Sequence, residues 1–520
     1  MAAAQTSSAS AREWIAVLAG MIGAFMAILN IQITNASLLD IEGGIGTGVD
    51  NGAWISTSYL IGEIVVIPLT AYFSSVFSFR RYILVNSVLF PLFSIACSFA
   101  HDLGTMIVLR GLQGFAGGVL IPMAFTMVLT KLPKNQQPLG LAIFALSVTF
   151  APAIGPTIGG YLTENYGWQT IFYINALPSA IMAVALAATL DPSPMRLGLL
   201  KEGDWFGIVT MTIGLAAFQT VLEEGNKDDW FSSPFIVKLS ILAAVFLGAF
   251  IWIELTVEKP LVKLRLLAQR NFGIGVMVNV LVGIALFGTV YILPQYLGQV
   301  QRYNAEQIGY VLAWTGLPQL LLIPLVPILM KRFDARYIGF VGISIFAASC
   351  FLNIYLSADN AGDQFWIPNI IRAIGQALVL TPITAITTGG IAPADAAAAS
   401  GLTNMLRNLG GAVGTASLGT ILTKREQFHS NVIGQSVTMA RDEVRLRVET
   451  LTGYFMSHGV TDKAQATKQS IVALGRVVRK QALIMGFSDT FAVIGTVLAI
   501  AALALLLAKR SAAGGGAGAH

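Results

Sequence analysis

Fourteen apolar runs of roughly 18 to 28 residues recur along this chain, each about the length a helix needs to cross some 30 Å of hydrocarbon. They lie near 14–38, 53–75, 82–100, 104–131, 138–162, 168–190, 205–222, 234–256, 272–298, 306–330, 337–357, 366–391, 401–423 and 482–508. The seventh is short and ends in the polar stretch EEGNKDDW. No soluble core can absorb so many runs, and the composition agrees. Hydrophobic residues make up 55% of the chain and charged residues 11%, where a soluble domain carries about 25% charged. An all-α polytopic membrane protein is expected, because only helices satisfy the backbone of such segments in lipid.

The net charge of +5 comes without a basic block of the nucleic-acid type. The basic residues punctuate the apolar runs instead. With the N-terminus in the cytoplasm, the inner connections carry Arg80, Arg81, Lys131, Lys134, Arg196, Lys201, Lys259, Lys263, Arg265, Arg270, Lys331, Arg332, Arg336, Lys509 and Arg510. The short outer connections carry only Lys227 and Arg302, beside acids such as Asp40, Glu42 and Asp50. This bias predicts cytoplasmic N- and C-termini. Residues 424–481 are read as a long outer loop, in which RDEVRLRVETLTGYFMSHGV and DKAQATKQSIVALGRVVRKQ show helical apolar spacing. The tail SAAGGGAGAH reads as flexible linker.

Charges inside the runs are few. SYLIGEIVVIPLTAY holds one carboxylate, Glu63. VLRGLQGFAGGVLIP holds Arg110, and RAIGQALVLTP, a weak internal echo of it, holds Arg372. TNMLRNLGGAVG holds Arg407. Lys238 and Glu254 lie near span ends, where snorkelling is expected. A charge at mid-helix costs ~3 kcal/mol on insertion scales and is a functional hypothesis by default. Glu63 and Asn30 both fall roughly 12–14 Å below the outer surface at about 1.5 Å per residue. An ionised carboxylate is unfavourable at that depth, which suits Glu63 to taking up and releasing a proton. The alternatives are a glutamate hydrogen-bonded to Asn30 or Ser58 for packing alone, and direct contact with substrate. APAIGPTIGGYL breaks span five with two prolines, and its small residues also allow close helix packing.

Together these motifs resemble those of the major facilitator superfamily. Gly155, Pro156, Gly159 and Gly160 resemble its antiporter motif, and Arg110, Gln113 and Gly114 its span-four arginine motif. LNIQITNASL resembles the span-one motif of the fourteen-helix drug:proton antiporter branch. With WQTIFYIN, the 424–481 segment and the glycine-rich tail, the whole chain is similar to the pump subunits of tripartite efflux systems. Two departures stand out. Asn30 occupies the place of a usual span-one aspartate, and AYFSSVFSFRR keeps only the basic end of the usual loop 2–3 motif.

The resemblance implies a major facilitator fold. It would have an N-terminal six-helix half (1–195), an inserted helix pair, spans seven and eight (196–260), a C-terminal six-helix half (261–510) and the tail 511–520. It implies proton-driven export of hydrophobic or amphipathic small molecules across a bacterial inner membrane by alternating access. A periplasmic adaptor and an outer-membrane channel are the implied partners. Glu63, Arg110 and Arg407 are the candidates for proton coupling, and Asn30, Asn35, Gln113, Arg372 and Asn404 those for the substrate cavity. Three deep arginines against one glutamate favour neutral or anionic amphiphiles. No cofactor, metal or enzymatic activity is expected, since neither a phosphate-cradling G-x-x-x-x-G-K-[ST] loop nor a cysteine/histidine cluster occurs. The alternatives are a lipid or metabolite exporter on the same fold and a non-transporting scaffold or sensor. A buried acid gives a scaffold no benefit.

Overall fold

The computed structural model describes residues 9–258, 260–392 and 395–509. Lys259, Arg510 and the tail 511–520 lie outside the described residues. Among these, every regular element is a helix, and all fourteen apolar runs fall on helices. They are α1 (Ala11–Ala36), α2 (Trp54–Val76), α3 (Phe79–Cys97), α4 (Leu103–Lys131), α5 (Gln137–Tyr166), α6 (Thr170–Thr189) and α7 (Trp205–Glu224). The series continues with α8 (Pro234–Thr256), α9 (Arg270–Gln299), α10 (Glu306–Met330), α11 (Ala335–Phe351), α12 (Trp366–Thr388), α13 (Ala396–Ser436) and α14 (Lys463–Leu505). Eleven of them are long and apolar enough by themselves to cross a membrane. A twelfth, α5, passes as a pair bent by 44° between Pro152 and Ile154, the kink expected where proline removes a backbone donor. The other two are α11, with 17 residues, and α13, which carries Arg407 and continues into polar sequence.

Packing sorts the helices by sequence. α1 lies against α4, α5 and α6, and α2 against α4. α9 lies against α13 and α14, and α11 against α12 and α14. The two groups meet along two seams, α2 with α13 and α5 with α10. At the first seam Ile64, Ile67 and Leu69 share one apolar cluster with Ala399, Leu402 and Met405. At the second, Ala142 meets Ile323 and Ala377. Close approach within the first group depends on glycine. A Cβ at Gly62 would lie 2.2 Å from the Gly111 carbonyl oxygen, and one at Gly114 would lie 2.1 Å from the Tyr59 carbonyl oxygen. The α2 and α4 backbones therefore touch directly, as small residues permit in membranes.

The pair α7–α8 sits across the first seam. α7 packs on both α2 and α13, with α8 outside it. Only 17% of the apolar window of α8 is buried, against 72% for α1, so α8 is the peripheral member. The connection between α7 and α8 ties to both groups. Thr57 Oγ1 on α2 donates to Glu224 Oε1 at 2.9 Å, and Trp230 Nε1 donates to Thr420 Oγ1 on α13 at 2.9 Å. Glu254 corrects the snorkelling expectation. It is fully buried and accepts the Val262 amide N–H at 3.0 Å, because the following chain folds back over it. Lys238 is exposed.

The segment expected as an outer loop is mostly helix. α13 runs on to Ser436, a further helix covers Asp442–Ser457, and α14 begins at Lys463. Val448 and Thr452 bury themselves against Ala466 and Ser470 of α14. The Thr452 and Ser470 hydroxyls lie 3.1 Å apart, and Asp462 caps α14 through the amides of Ala464 and Gln465. Lower down, Asp489 Oδ2 accepts from Arg425 Nε at 2.6 Å and lies 2.7 Å from His429 Nε2, fastening α13 to α14. The helical periodicity of the segment is borne out, and α13 and α14 both run on past their apolar parts.

Candidate functional site: a buried polar seam

Glu63 lies on α2 one residue beyond the glycine contact with α4. Its side chain is buried. Oε1 accepts from Asn408 Nδ2 on α13 at 3.3 Å, and Oε2 has no hydrogen-bond partner among the described residues. The pairing with Asn30 or Ser58 considered from sequence does not form. Asn30 is held elsewhere, and the Ser58 hydroxyl donates to its own helix at the Ile55 carbonyl. A carboxylate with one long hydrogen bond and one bare oxygen is poorly compensated, which is unusual for a buried acid. Arg110 of α4 and Arg407 of α13 are buried cations on helices that pack against α2.

Arg407 precedes Asn408 on α13. Its Nη2 donates to Asn404 Oδ1 at 2.9 Å, and Asn404 returns Nδ2 to the Ser400 carbonyl oxygen at 3.0 Å. Nε of Arg407 is buried without a partner among the described residues. Gly283 of α9 makes room for this turn, since a Cβ there would lie 2.5 Å from the Arg407 carbonyl oxygen. Glu63, Asn408, Arg407 and Asn404 therefore form one polar cluster across the α2/α13 seam.

Arg110 is bound differently. Nη1 donates to Asn30 Oδ1 at 2.6 Å and to Gln113 Oε1 at 2.8 Å, while Nε donates to the Ile55 carbonyl oxygen at 3.2 Å. The guanidinium lies 4.4 Å from the Tyr59 ring centroid, and the Tyr59 hydroxyl donates to the Ala27 carbonyl oxygen at 3.0 Å. This arginine locks α1, α2 and α4 to one another.

Arg372 stands apart on α12. Its Nη2 donates to Thr315 Oγ1 of α10 at 2.5 Å. Beside it, Gln319 Nε2 donates to Gln376 Oε1 at 2.9 Å. Among the described residues, no carboxylate lies within ion-pairing distance of Arg110, Arg372 or Arg407.

The structure thus brings Asn30 and Gln113 to Arg110, and Asn404 to Arg407. It does not bring Asn35 to either cluster. Asn35 is exposed at the outer end of α1 and accepts from the Ser56 hydroxyl at 2.6 Å, because it lies more than one helical turn above Asn30. Pro156 and Gly160 are buried in α5, and Gly155 and Gly159 are its contact surface for α1. A Cβ at Gly159 would lie 2.9 Å from the Ile33 carbonyl oxygen, and one at Gly155 would lie 2.5 Å from Gln32 Cβ.

Four participants were missed from sequence: Asn408, Glu224, Thr315 and the Gln319–Gln376 pair. The available signal was a polar residue within an apolar run, which TNMLRNLGG and TGLPQLLL both display. Glu224 is 2% exposed and was hidden by its place in a run of polar residues.

The profile of the Major Facilitator Superfamily matches residues 20–415. The chain belongs to the major facilitator superfamily. Within it, the chain is EmrB-like. It is 32% identical over 498 residues to the "Colistin resistance protein EmrB" of Acinetobacter baumannii, covering 96% of each chain. It is 29% identical over 510 residues to the "Multidrug export protein EmrB" of Escherichia coli K12, covering 97% of this chain and 98% of the relative. Among solved structures, the proton:xylose symporter XylE superposes with a TM-score of 0.58 at 12% identity over 94% of each chain, a likeness of fold alone.

Proposed function

We propose that this chain exports hydrophobic or amphipathic small molecules, each cycle driven by protons moving inward through Glu63. The observation that carries the reading is the placement of one poorly compensated acid on the seam where two helix groups meet. Residues 1–195 and 261–510 serve as the rocking halves, residues 196–260 as an inserted pair, and the chain crosses the membrane fourteen times. Both termini face the cytoplasm of a bacterial cell, and the membrane is the inner one, as loop charge favours.

The chemistry follows from the cluster. An ionised Glu63 on α2 is attracted to Arg407 and accepts from Asn408, both on α13, so it holds the seam shut. A proton from the outer side neutralises the carboxyl and removes that attraction, which frees the halves to rock. Release of the proton inward restores it. Arg110 keeps the α1–α2–α4 wall rigid through both states, and the α5 glycines provide the sliding surface against α1. Asn30, Gln113 and Asn404 present amides around the same level.

The outer helices of 424–481 dock a periplasmic adaptor (EmrA-like), itself joined to an outer-membrane channel (TolC-like). Support comes from the length of the helical projection and its exposed apolar residues, including Phe428, Val432, Leu446 and Tyr454. Removing residues 432–476 should impair efflux from cells while leaving proton-coupled transport in liposomes. Loss of both activities would assign the projection to the fold itself.

The reading as a whole is tested by adding amphipathic dyes to proteoliposomes that carry a proton gradient. Substrate-dependent proton flux, abolished by an uncoupler, is expected. Its absence with every dye would favour a scaffold or sensor.

A further inference from the structure

Arg110 and Arg372 head the two halves of the internal echo in the sequence, RGLQG and RAIGQ, and the structure treats them unequally. Arg110 meets three oxygen acceptors and a tyrosine face. Arg372 is also buried, at 4% exposure, yet among the described residues its hydrogen-bonding partner is the Thr315 hydroxyl alone. Its Nε has none among the described residues. Thr315, Gln319 and Gln376 around it are at most 4% exposed, so this is an enclosed cationic and amide cluster. A buried guanidinium with unused donors lacks its natural complement, an oxyanion that can accept two of them.

Two further observations place a ligand there. First, the α12 backbone is irregular beside the cluster. Within its single 23-residue span the regular helix lapses at Leu378 and Val379, whose amides donate to the Gly375 and Gln376 carbonyl oxygens three residues back. A short 3₁₀ stretch inside a helix often marks a functional position. Second, the charges are segregated. Glu63 is held by Asn408, the residue that follows Arg407, whereas the side chains grouped around Arg372, those of Thr315, Gln319 and Gln376, are uncharged. An anion bound at Arg407 would be favoured by a protonated Glu63, so proton and anion would bind together and travel together. Exchange needs the anion at a cation that Glu63 does not control, and Arg372 meets that condition.

We propose that Arg372, with the Thr315 hydroxyl and the Gln319–Gln376 amides, receives the carboxylate of anionic amphipathic substrates. This rests on the exporter reading above and adds to it the residue that selects charge.

The test is a ratio. Binding of a fluorescent alkanoate and of its uncharged amide is measured with the full chain in nanodiscs, for wild type, Arg372→Gln and Arg372→Lys. Wild type should prefer the carboxylate, and Arg372→Gln should reduce the carboxylate-to-amide ratio by at least about tenfold, the scale of one charged hydrogen bond. Arg372→Lys, which keeps the charge and loses the fork, should fall between. An unchanged ratio in Arg372→Gln would overturn the proposal, as would equal weakening of both ligands, which marks a structural arginine. The exporter reading fails separately, if wild type binds both ligands but moves no protons in proteoliposomes.

Discussion

Asn408 on α13 donates its side-chain amide to Glu63 on α2 across 3.3 Å, a polar link between two helices 345 residues apart in sequence. The donor comes from the opposite helix group, so any rocking that parts α2 from α13 must break it. A carboxylate held from across the seam reports on closure, and in the proposed cycle its protonation sets that closure.

Asn408→Ala therefore should uncouple the seam without removing the proton site. A hydrogen bond to a charged group contributes about 1.5–3 kcal/mol, so efflux should drop by roughly 10- to 150-fold while the protein still assembles. Asn408→Asp places two carboxyl groups face to face and should be more damaging than alanine. Dye efflux normalised to membrane-inserted protein checks both, and wild-type efflux in Asn408→Ala would show that the link is incidental.

The two buried arginines on helices packed against α2, Arg110 and Arg407, should fail in different ways. Arg110→Ala orphans the buried Asn30 Oδ1, leaves Gln113 Oε1 with the weak Cys97 thiol donor, and takes one donor from the Ile55 carbonyl oxygen, which keeps the Ser58 hydroxyl. Each buried group left unsatisfied costs about 1–3 kcal/mol, so the thermal unfolding midpoint should fall sharply and expression with it. Lysine at 110 cannot reproduce the fork and should recover only part. Among the described residues, the hydrogen bond Arg407 has to lose is the one to Asn404. Arg407→Ala should abolish transport with a much smaller loss of expression. Thermal unfolding beside transport assays separates the two, and matching profiles for both variants would contradict the distinction.

Gly159 marks where α5 touches α1. A Cβ there would meet the Ile33 carbonyl oxygen at 2.9 Å, and this is backbone that cannot rotate away. Gly159→Val should push the helices apart, at a cost of about 1–3 kcal/mol for overpacking, and slow efflux beyond what the stability loss explains. Gly434, at the outer end of α13, has open space around its Cβ position, and Gly434→Val serves as the control. Comparable loss in both variants would remove the case for α5 as a sliding surface.

Much of this architecture could be read in the chain because lipid leaves few choices. Apolar length alone marks twelve of the helices, α5 as a bent pair, and Pro152 with Pro156 marks that bend. Partner choice was not legible. Glu63 was visible as an anomaly in SYLIGEIVVIPLTAY, but nothing local indicates that its donor is Asn408 rather than Asn30 at matching depth. That pairing depends on which helices meet, a property of the whole bundle. The same limit hid Glu254, which reads as a span-end acid until the chain after α8 folds back to give it the Val262 amide. Asn35 misled in the opposite direction, since a polar residue near a span end resembles a cavity residue until helix rise places it at the surface.

Proton counterflow in Glu63→Gln tests the central claim most directly. Glutamine keeps the size of the side chain and an oxygen for Asn408 but cannot exchange a proton. Purified protein in liposomes loaded with a pH-sensitive dye is challenged with a transported amphiphile at fixed membrane potential. Wild type should show substrate-dependent proton movement, and Glu63→Gln should show none while still binding the amphiphile. Asn30→Asp combined with Glu63→Asn should restore part of the flux, since it returns an acid at the same depth. Undiminished proton exchange and efflux in Glu63→Gln would contradict the account.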